Sequence, residues 1–273
     1  MSDFTGYDPT IENRDWLQSA STSIAFTSRD YQAPEEIDPR ERVRHDKQFD
    51  MGSCGGFGNT SSAENIWAMH YDGKFSSERQ FSPLFSYLEA QRFDGLLGSD
   101  RGSTISSGVK VGMTIGYLPA KHLPYKTPYP RDARTLITDA MRKEAEPYRI
   151  RSHTWLENYD AIFNYLASGA GSVFPGTPWN DSFYARGGVL ESVSFTARDG
   201  GHAYAFLGYS RRKDSRGRNY LWRLNSHQDS WTEIAPSVID ALCKHQHTSI
   251  VGISDLTTPG PRKIKWIESR PLG

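Results

Sequence analysis

The sequence predicts an α+β fold of two lobes, a helical lobe followed by a β-rich one. Up to about residue 167 the regular segments show helical spacing and capping residues. From residue 171 onward they are short β-type runs separated by turns. Helices early and strands late make an α+β arrangement rather than an alternating one. Size agrees, because 273 residues with 37% hydrophobic and 12% aromatic content suffice for two lobes with a real core.

Residues 1–33 are mostly polar and turn-rich and read as an arm, with a short strand expected at 22–27. Residues 34–44 are charged and extended, and 48–58 are Gly-rich and then turn helical. Beyond them, residues 65–69 are the most helix-like, and Gly73 stops that helix. Ser82 and Pro83 are N-cap and first helical residue of a helix to about Arg92, with Leu84, Phe85, Leu88 and Tyr87 inward. A Gly/Ser-rich loop at 98–108 leads into a short helix at 107–114. The proline-rich stretch 119–130 is a packed crossover without regular structure. Helices are expected at 132–146 and 156–167, and strands at 171–174, 189–196, 203–208, 220–224 and 249–254.

Composition narrows the function classes. Lys+Arg and Asp+Glu both number 32, which argues against a general nucleic-acid binder. Two cysteines, Cys54 and Cys243, are too few for a secreted disulfide scaffold. The first residues contain no apolar core segment, so neither a signal peptide nor a membrane span is expected, and a cytoplasmic or virion-associated protein is. Cys243, His245 and His247 are metal-capable but too closely spaced for an ordinary zinc cage, and read as a helix end with exposed histidines. The basic run 211–218 reads as a solvated hairpin tip. Pro178, Trp179, Phe183 and Tyr184 are either a pocket edge or core.

The chemistry concentrates in three segments. Cys54 lies six residues after Gln48, and Gly200-Gly201-His202-Ala203 and Arg223-Leu224-Asn225-Ser226 come downstream in that order. Sulfur attacks a carbonyl as thiolate, and an ordinary thiol is mostly protonated at neutral pH. An imidazole partner and a helix N-terminus both favour the anion. A Cys, a His and an Asn in this order, with a Gln before the Cys, are the parts a thiol hydrolase needs.

These segments resemble the papain-like cysteine peptidase family. Gln48 to Phe57 is similar to its Gln-x5-Cys segment, with Gly52-Ser53 before the Cys and an aromatic three residues after it. Ile37-Asp38-Pro39-Arg40 resembles the start of the family's mature chain, and Phe81 to Phe85 a family helix start. Gly102 to Ile105 followed by Gly116 to Pro119 resembles the next helix and loop. The resemblance implies a catalytic domain over 34–260, with a helical lobe at about 46–140, a β-rich lobe at about 141–255 and a tail at 261–273. It implies Cys54 as nucleophile, Gln48 as oxyanion donor, His202 as base and Asn225 as the residue that orients His202. The implied partner is a peptide or protein substrate, and no metal or organic cofactor is expected.

The chain departs from the family pattern at three places. His227 replaces the Trp that usually lies two residues after the Asn, so the Asn–His bond is expected to be wetter, or His227 to join the site. Gly55 stands where a Trp is common, and Gly55, Gly56 and Gly58 make the first helical turn unfavourable by about 1 kcal/mol each relative to Ala. Autoinhibition by a long helical pro-segment is not expected, although the short arm 1–33 is expected to be able to cover part of the cleft. These departures leave two rival readings. One is a non-enzymatic structural or interaction protein on the same fold, as in a virion or secretion assembly. The other is a cell-wall amidase, in which the His normally lies much nearer the Cys.

Overall fold

The structure is a computed structural model that describes residues 6–12, 33–71, 73–185, 187–227 and 230–259. The strand expected at 22–27 and the tail 261–273 lie outside these residues.

Seven α-helices occur among the described residues: α1 Cys54–His70, α2 Pro83–Asp94, α3 Ile105–Thr114, α4 Ala133–Leu136, α5 Asp139–Ala145, α6 Tyr159–Ala167 and α7 Pro236–Cys243. The strands are β1 Ser152–Trp155, β2 Gly171–Trp179, β3 Val189–Leu190, β4 Gly200–Ala203, β5 Ala205–Lys213, β6 Asn219–Leu224, β7 Trp231–Ile234 and β8 Ser249–Ser254. They form one sheet in the order β1-β8-β2-β5-β6-β7-β3, with β4 attached to β2. Every pairing is antiparallel except β3 with β7. Helices α1 to α5 precede β1, whereas α6 follows β1 and α7 lies between β7 and β8; the fold is the expected α+β class.

Helix α1 lies at the centre, buried on almost every side. A helix buried all round needs no polar face, so its sequence carries little helical periodicity. Its interior polar residues fasten it to its neighbours, since buried polar groups must be hydrogen-bonded. Asn59 Nδ2 donates to Ser86 Oγ of α2 at 3.1 Å and to the Gly108 carbonyl of α3 at 2.8 Å. Asn65 Nδ2 donates to Ser172 Oγ of β2 at 3.0 Å. The glycines that helix propensity disfavours are close-approach points. A Cβ on Gly56 would strike the Pro83 carbonyl, and one on Gly58 would fall 2.7 Å from the Tyr204 carbonyl oxygen. The first turn of α1 is therefore wedged between α2 and the segment joining β4 to β5. Phe57 also packs there, edge-on to Tyr125 at 4.6 Å.

Four apolar clusters occur among the described residues, the smallest of them Val43, Ala205, Leu207 and Leu224. One lies between the sheet and α6 and α7, with Tyr159, Ile162, Phe206 and Ile239. A second joins α1 to the sheet through Cys54, Ile66, Phe174 and Val251. The third holds Leu84, Phe85, Leu88 and Met51 on the other side of α1. Leu84, Phe85, Tyr87 and Leu88 are all inward, as expected, and Ser82 Oγ accepts the Phe85 N–H at 3.1 Å as the N-cap of α2.

The expected helix at 132–146 is two helices. Ile137 is extended between them, and Thr138 starts α5 by accepting the Met141 N–H. The expected helix at 156–167 begins only at Tyr159, because Asn158 caps it by accepting the Ala161 N–H at 2.9 Å. The strand expected at 189–196 is only the two-residue β3. The run expected at 203–208 belongs to two strands, since Tyr204 breaks the ladder and donates its N–H to the Pro175 carbonyl. Strand β2 extends to Trp179, and β1 and β7 are additional. Arg211, Arg212 and Arg218 at the hairpin are paired with Glu36, Glu233 and Asp240.

Candidate active site

Cys54 is the first residue of α1 and is fully buried. A thiol there meets the positive end of the helix, which favours its anion. Its Sγ accepts the Ala203 N–H at 3.3 Å. Ala203 ends β4, and the residue before it is His202. The contact thus joins the start of the buried helix to the strand that carries the imidazole.

His202 is held in β4 opposite Thr177 of β2. Its Nε2 lies 2.7 Å from Asn225 Oδ1, just past the end of β6, and both residues are 0% exposed. An amide oxygen only accepts, so this contact places the proton on Nε2 and leaves Nδ1 as the basic nitrogen. The wetter bond expected from the loss of Trp at 227 is not found, because other rings cover it. Trp179 packs against the His202 ring at a centroid distance of 4.3 Å, and His227 packs at 4.7 Å. His227 also donates its backbone N–H to Asn225 Oδ1 at 3.2 Å. The buried Arg223 guanidinium lies 5.0 Å from the Trp179 ring. Pro178 lines a cavity, while Trp179 and Phe183 are buried packing residues.

Gln48 lies in the loop that leads into α1. Its Oε1 accepts from Ser226 Oγ at 2.7 Å, and its Nε2 donates to the Met51 carbonyl at 2.9 Å. Its backbone N–H donates to the Ser226 carbonyl at 3.0 Å. Ser226 is adjacent to Asn225, so the residue next to the imidazole's partner also sets the Gln48 amide. Tyr125 closes this loop by donating to the Gln48 carbonyl at 2.6 Å and lying 2.8 Å from Ser53 Oγ. Asp100 accepts the Gly52 N–H at 3.0 Å. Sequence reasoning misses both Tyr125 and Asp100, which lie in loops without a local signature of their role.

Electrostatics in this closed site oppose ionisation of the sulfur. Burial pushes the Cys54 thiol up to about 12, against the lowering by the Ala203 and Gly55 N–H groups, and Asp100 adds to the rise. Among the described residues, no group of three or more His, Cys, Asp or Glu side chains is placed to hold a metal ion. His245 and His247 are half-buried rather than exposed, with His245 packed on Phe195 at 4.6 Å. No helix among the described residues is long and apolar enough to cross a membrane.

The α+β fold with a buried central helix against an antiparallel sheet is that of the papain-like cysteine proteases. Xylellain, a cysteine protease from Xylella fastidiosa, superimposes with a TM-score of 0.70 at 21% identity, over 94% of this chain and 96% of that one. The bromelain protease from Ananas comosus, in complex with the E64 inhibitor, gives 0.60 at 18% identity, over 81% and 99%. A procathepsin B from Trypanosoma congolense gives 0.65 at 14% identity, over 94% and 88%. No family model matches the chain, and no curated protein matches it in sequence.

Proposed function

We propose that the chain hydrolyses peptide or amide bonds through an acyl-thioester on Cys54. The observation that carries this reading is the junction of helix start and strand. The Cys54 sulfur touches the backbone beside His202, and the far nitrogen of that imidazole faces Asn225 at 2.7 Å. Nδ1 of His202 takes the thiol proton, Sγ bonds to the substrate carbonyl carbon, and the carbonyl electrons move onto oxygen. The Cys54 backbone N–H and the Gln48 side-chain amide stabilise that oxyanion, each such donor being worth about 10²–10³ in rate. His202 then protonates the leaving amine, and afterwards deprotonates the water that releases the acid. Asn225 holds the imidazole in one tautomer and orientation throughout.

A second reading is favoured by the burial of the thiol: the same fold serving as an interaction scaffold without turnover. One experiment separates the two. The native chain, Cys54→Ala and His202→Ala are each incubated with a peptidyl electrophile and weighed intact. A single adduct that requires Cys54 and forms at least about tenfold more slowly without His202 is expected. Labelling at equal rates with and without His202 would favour the scaffold.

A further inference from the structure

His45 lies three residues ahead of Gln48, in the irregular segment that leads toward α1. That segment is pinned along its length. Val43 is buried against Ala205, Leu207 and Leu224 of β5 and β6. Asp46 accepts from Arg44 Nε at 2.9 Å and from Gln80 Nε2 at 3.1 Å. Gln48 donates its backbone N–H to the Ser226 carbonyl, and its side-chain oxygen accepts from Ser226 Oγ. The segment is therefore a fixed support, and what it supports is the turn that starts at Asn225, just past the end of β6.

The half-buried His45 ring is hydrogen-bonded to the backbone of His227 and to that of Asn225. An imidazole meets a backbone oxygen only as a donor. His45 Nε2 is buried without a partner, so Nδ1–H makes these bonds. Burial pulls the ring below the ordinary histidine value, against the two backbone oxygens and Asp46 and with help from Lys47, which favours the neutral Nδ1–H form. Three consecutive residues are thus gripped from one segment: 225 and 227 by His45, and 226 by Gln48. The same three face the imidazole of His202. Asn225 Oδ1 meets its Nε2 at 2.7 Å and also accepts the His227 N–H at 3.2 Å, while the His227 ring packs on it at 4.7 Å. Hydrogen bonds weaken steeply with misalignment, and an error of about 1 Å in a reacting group can cost about 10²-fold in rate.

We infer that His45 is a positioning residue for the His202–Asn225 pair: its Nδ1–H, held on the fixed segment before α1, fixes the backbone of residues 225–227 and so keeps the Asn225 oxygen aligned with the imidazole. His45 touches neither the sulfur nor a substrate and acts only through that turn. The inference rests on the hydrolase reading for its effect on rate, but not for its effect on the hydrogen bond.

The test uses the full chain with His45→Asn, His45→Gln and His45→Leu. The Asn amide reaches the place of Nδ1, the Gln amide reaches the place of Nε2, and Leu has no donor. Two quantities are read. One is the exchange with water of the His202 Nε2 proton, followed by NMR and assigned by its loss in His202→Ala. The other is Cys54 labelling by a peptidyl electrophile, resolved into a maximal rate and a half-saturating concentration. In His45→Gln and His45→Leu the proton should exchange at least about tenfold faster, and the maximal labelling rate should fall about tenfold with half-saturation unchanged within about twofold. His45→Asn should keep both readings within about threefold of the native chain. Should His45→Leu fail to fold, the contrast between Asn and Gln, both polar and uncharged, carries the test. Exchange that is alike in Asn and Gln, whether slow or fast, overturns the inference, because a donor at the place of Nδ1 then makes no difference. If that result comes with labelling that requires His202, the hydrolase reading stands without it. The expected exchange pattern with labelling indifferent to His202 in every chain upholds the positioning and removes the hydrolase.

Discussion

His202 shows how far a single residue's role depends on neighbours distant in sequence. Its partner Asn225 is legible in the sequence, because a Gly-Gly-His segment and a later Asn at a strand end are local strings. The cover over their hydrogen bond is not legible. The expected Trp at 227 is absent, and Trp179 from β2 supplies an aromatic face to the ring instead. Only pairing of β2 with β4, which sets Trp179 opposite Gly200 and Thr177 opposite His202, brings the two together. Ring-on-ring packing of this kind contributes about 0.5–1.5 kcal/mol beyond simple burial. Trp179→Phe should therefore keep the His202-dependent labelling rate of Cys54 within about threefold, whereas Trp179→Leu should lower it by up to about tenfold. Equal rates for Phe and Leu at this position, in folded protein, would show that the indole only fills space.

At the scale of elements, legibility depends on whether a segment carries its own end signals. Helices α2 and α3 have Ser82 and Thr104 as side-chain caps, and both helices are readable from the sequence. Helix α1 has no side-chain cap and no polar face, so only its C-terminal half looks helical in sequence. Strands β1 and β7 each have four residues; β7 alternates in burial, but its two buried positions are Thr232 and Ile234, so the alternation is not one of apolar and polar residues. The glycines of α1 are a weakness by propensity, and the structure reverses that reading. On propensity alone Gly56→Ala would gain about 1 kcal/mol. The added Cβ strikes the Pro83 carbonyl, which is backbone and gives little, so a net loss of about 1–3 kcal/mol is expected in urea unfolding. Glu64, farther along α1, makes the same helix pH-sensitive. Its Oε1 accepts the Phe81 N–H at 2.8 Å, and burial pushes its carboxyl up to about 8. A folded-state value above the unfolded one means that the folded protein holds the proton more tightly. This contribution is complete below about pH 4.5 and is lost as pH rises toward 8. Glu64→Gln mimics the neutral acid and should flatten the stability profile over that window, as chemical denaturation at several pH values would reveal.

Across the whole molecule, the reactivity of one sulfur reports on the state of the groove. Two opposed influences meet at Cys54. The helix N-terminus and the imidazole favour the thiolate, while enclosure with the arm seated beside it favours the thiol. With the arm in place, enclosure wins, so alkylation by a small neutral reagent should be slow near pH 7 and climb only well above about pH 8, where thiolate begins to form. Gly6 has φ +104°, and a Cβ there would strike the Gly52 carbonyl, so Gly6→Val displaces the arm. Displacement admits water to the sulfur and leaves the imidazole in place, so desolvation falls while the ion pair remains available. The alkylation profile should then shift downward by more than about one pH unit, with a plateau extending below neutrality, the signature of a thiolate held by an imidazolium. Adding His202→Ala to Gly6→Val should remove that acidic plateau while keeping the solvent exposure. Rates of iodoacetamide incorporation at a series of pH values, for the native chain and both variants, separate the two influences. Superimposable profiles for the native chain and Gly6→Val would mean that the arm does not govern the thiol, and that the protonated sulfur belongs to the groove itself.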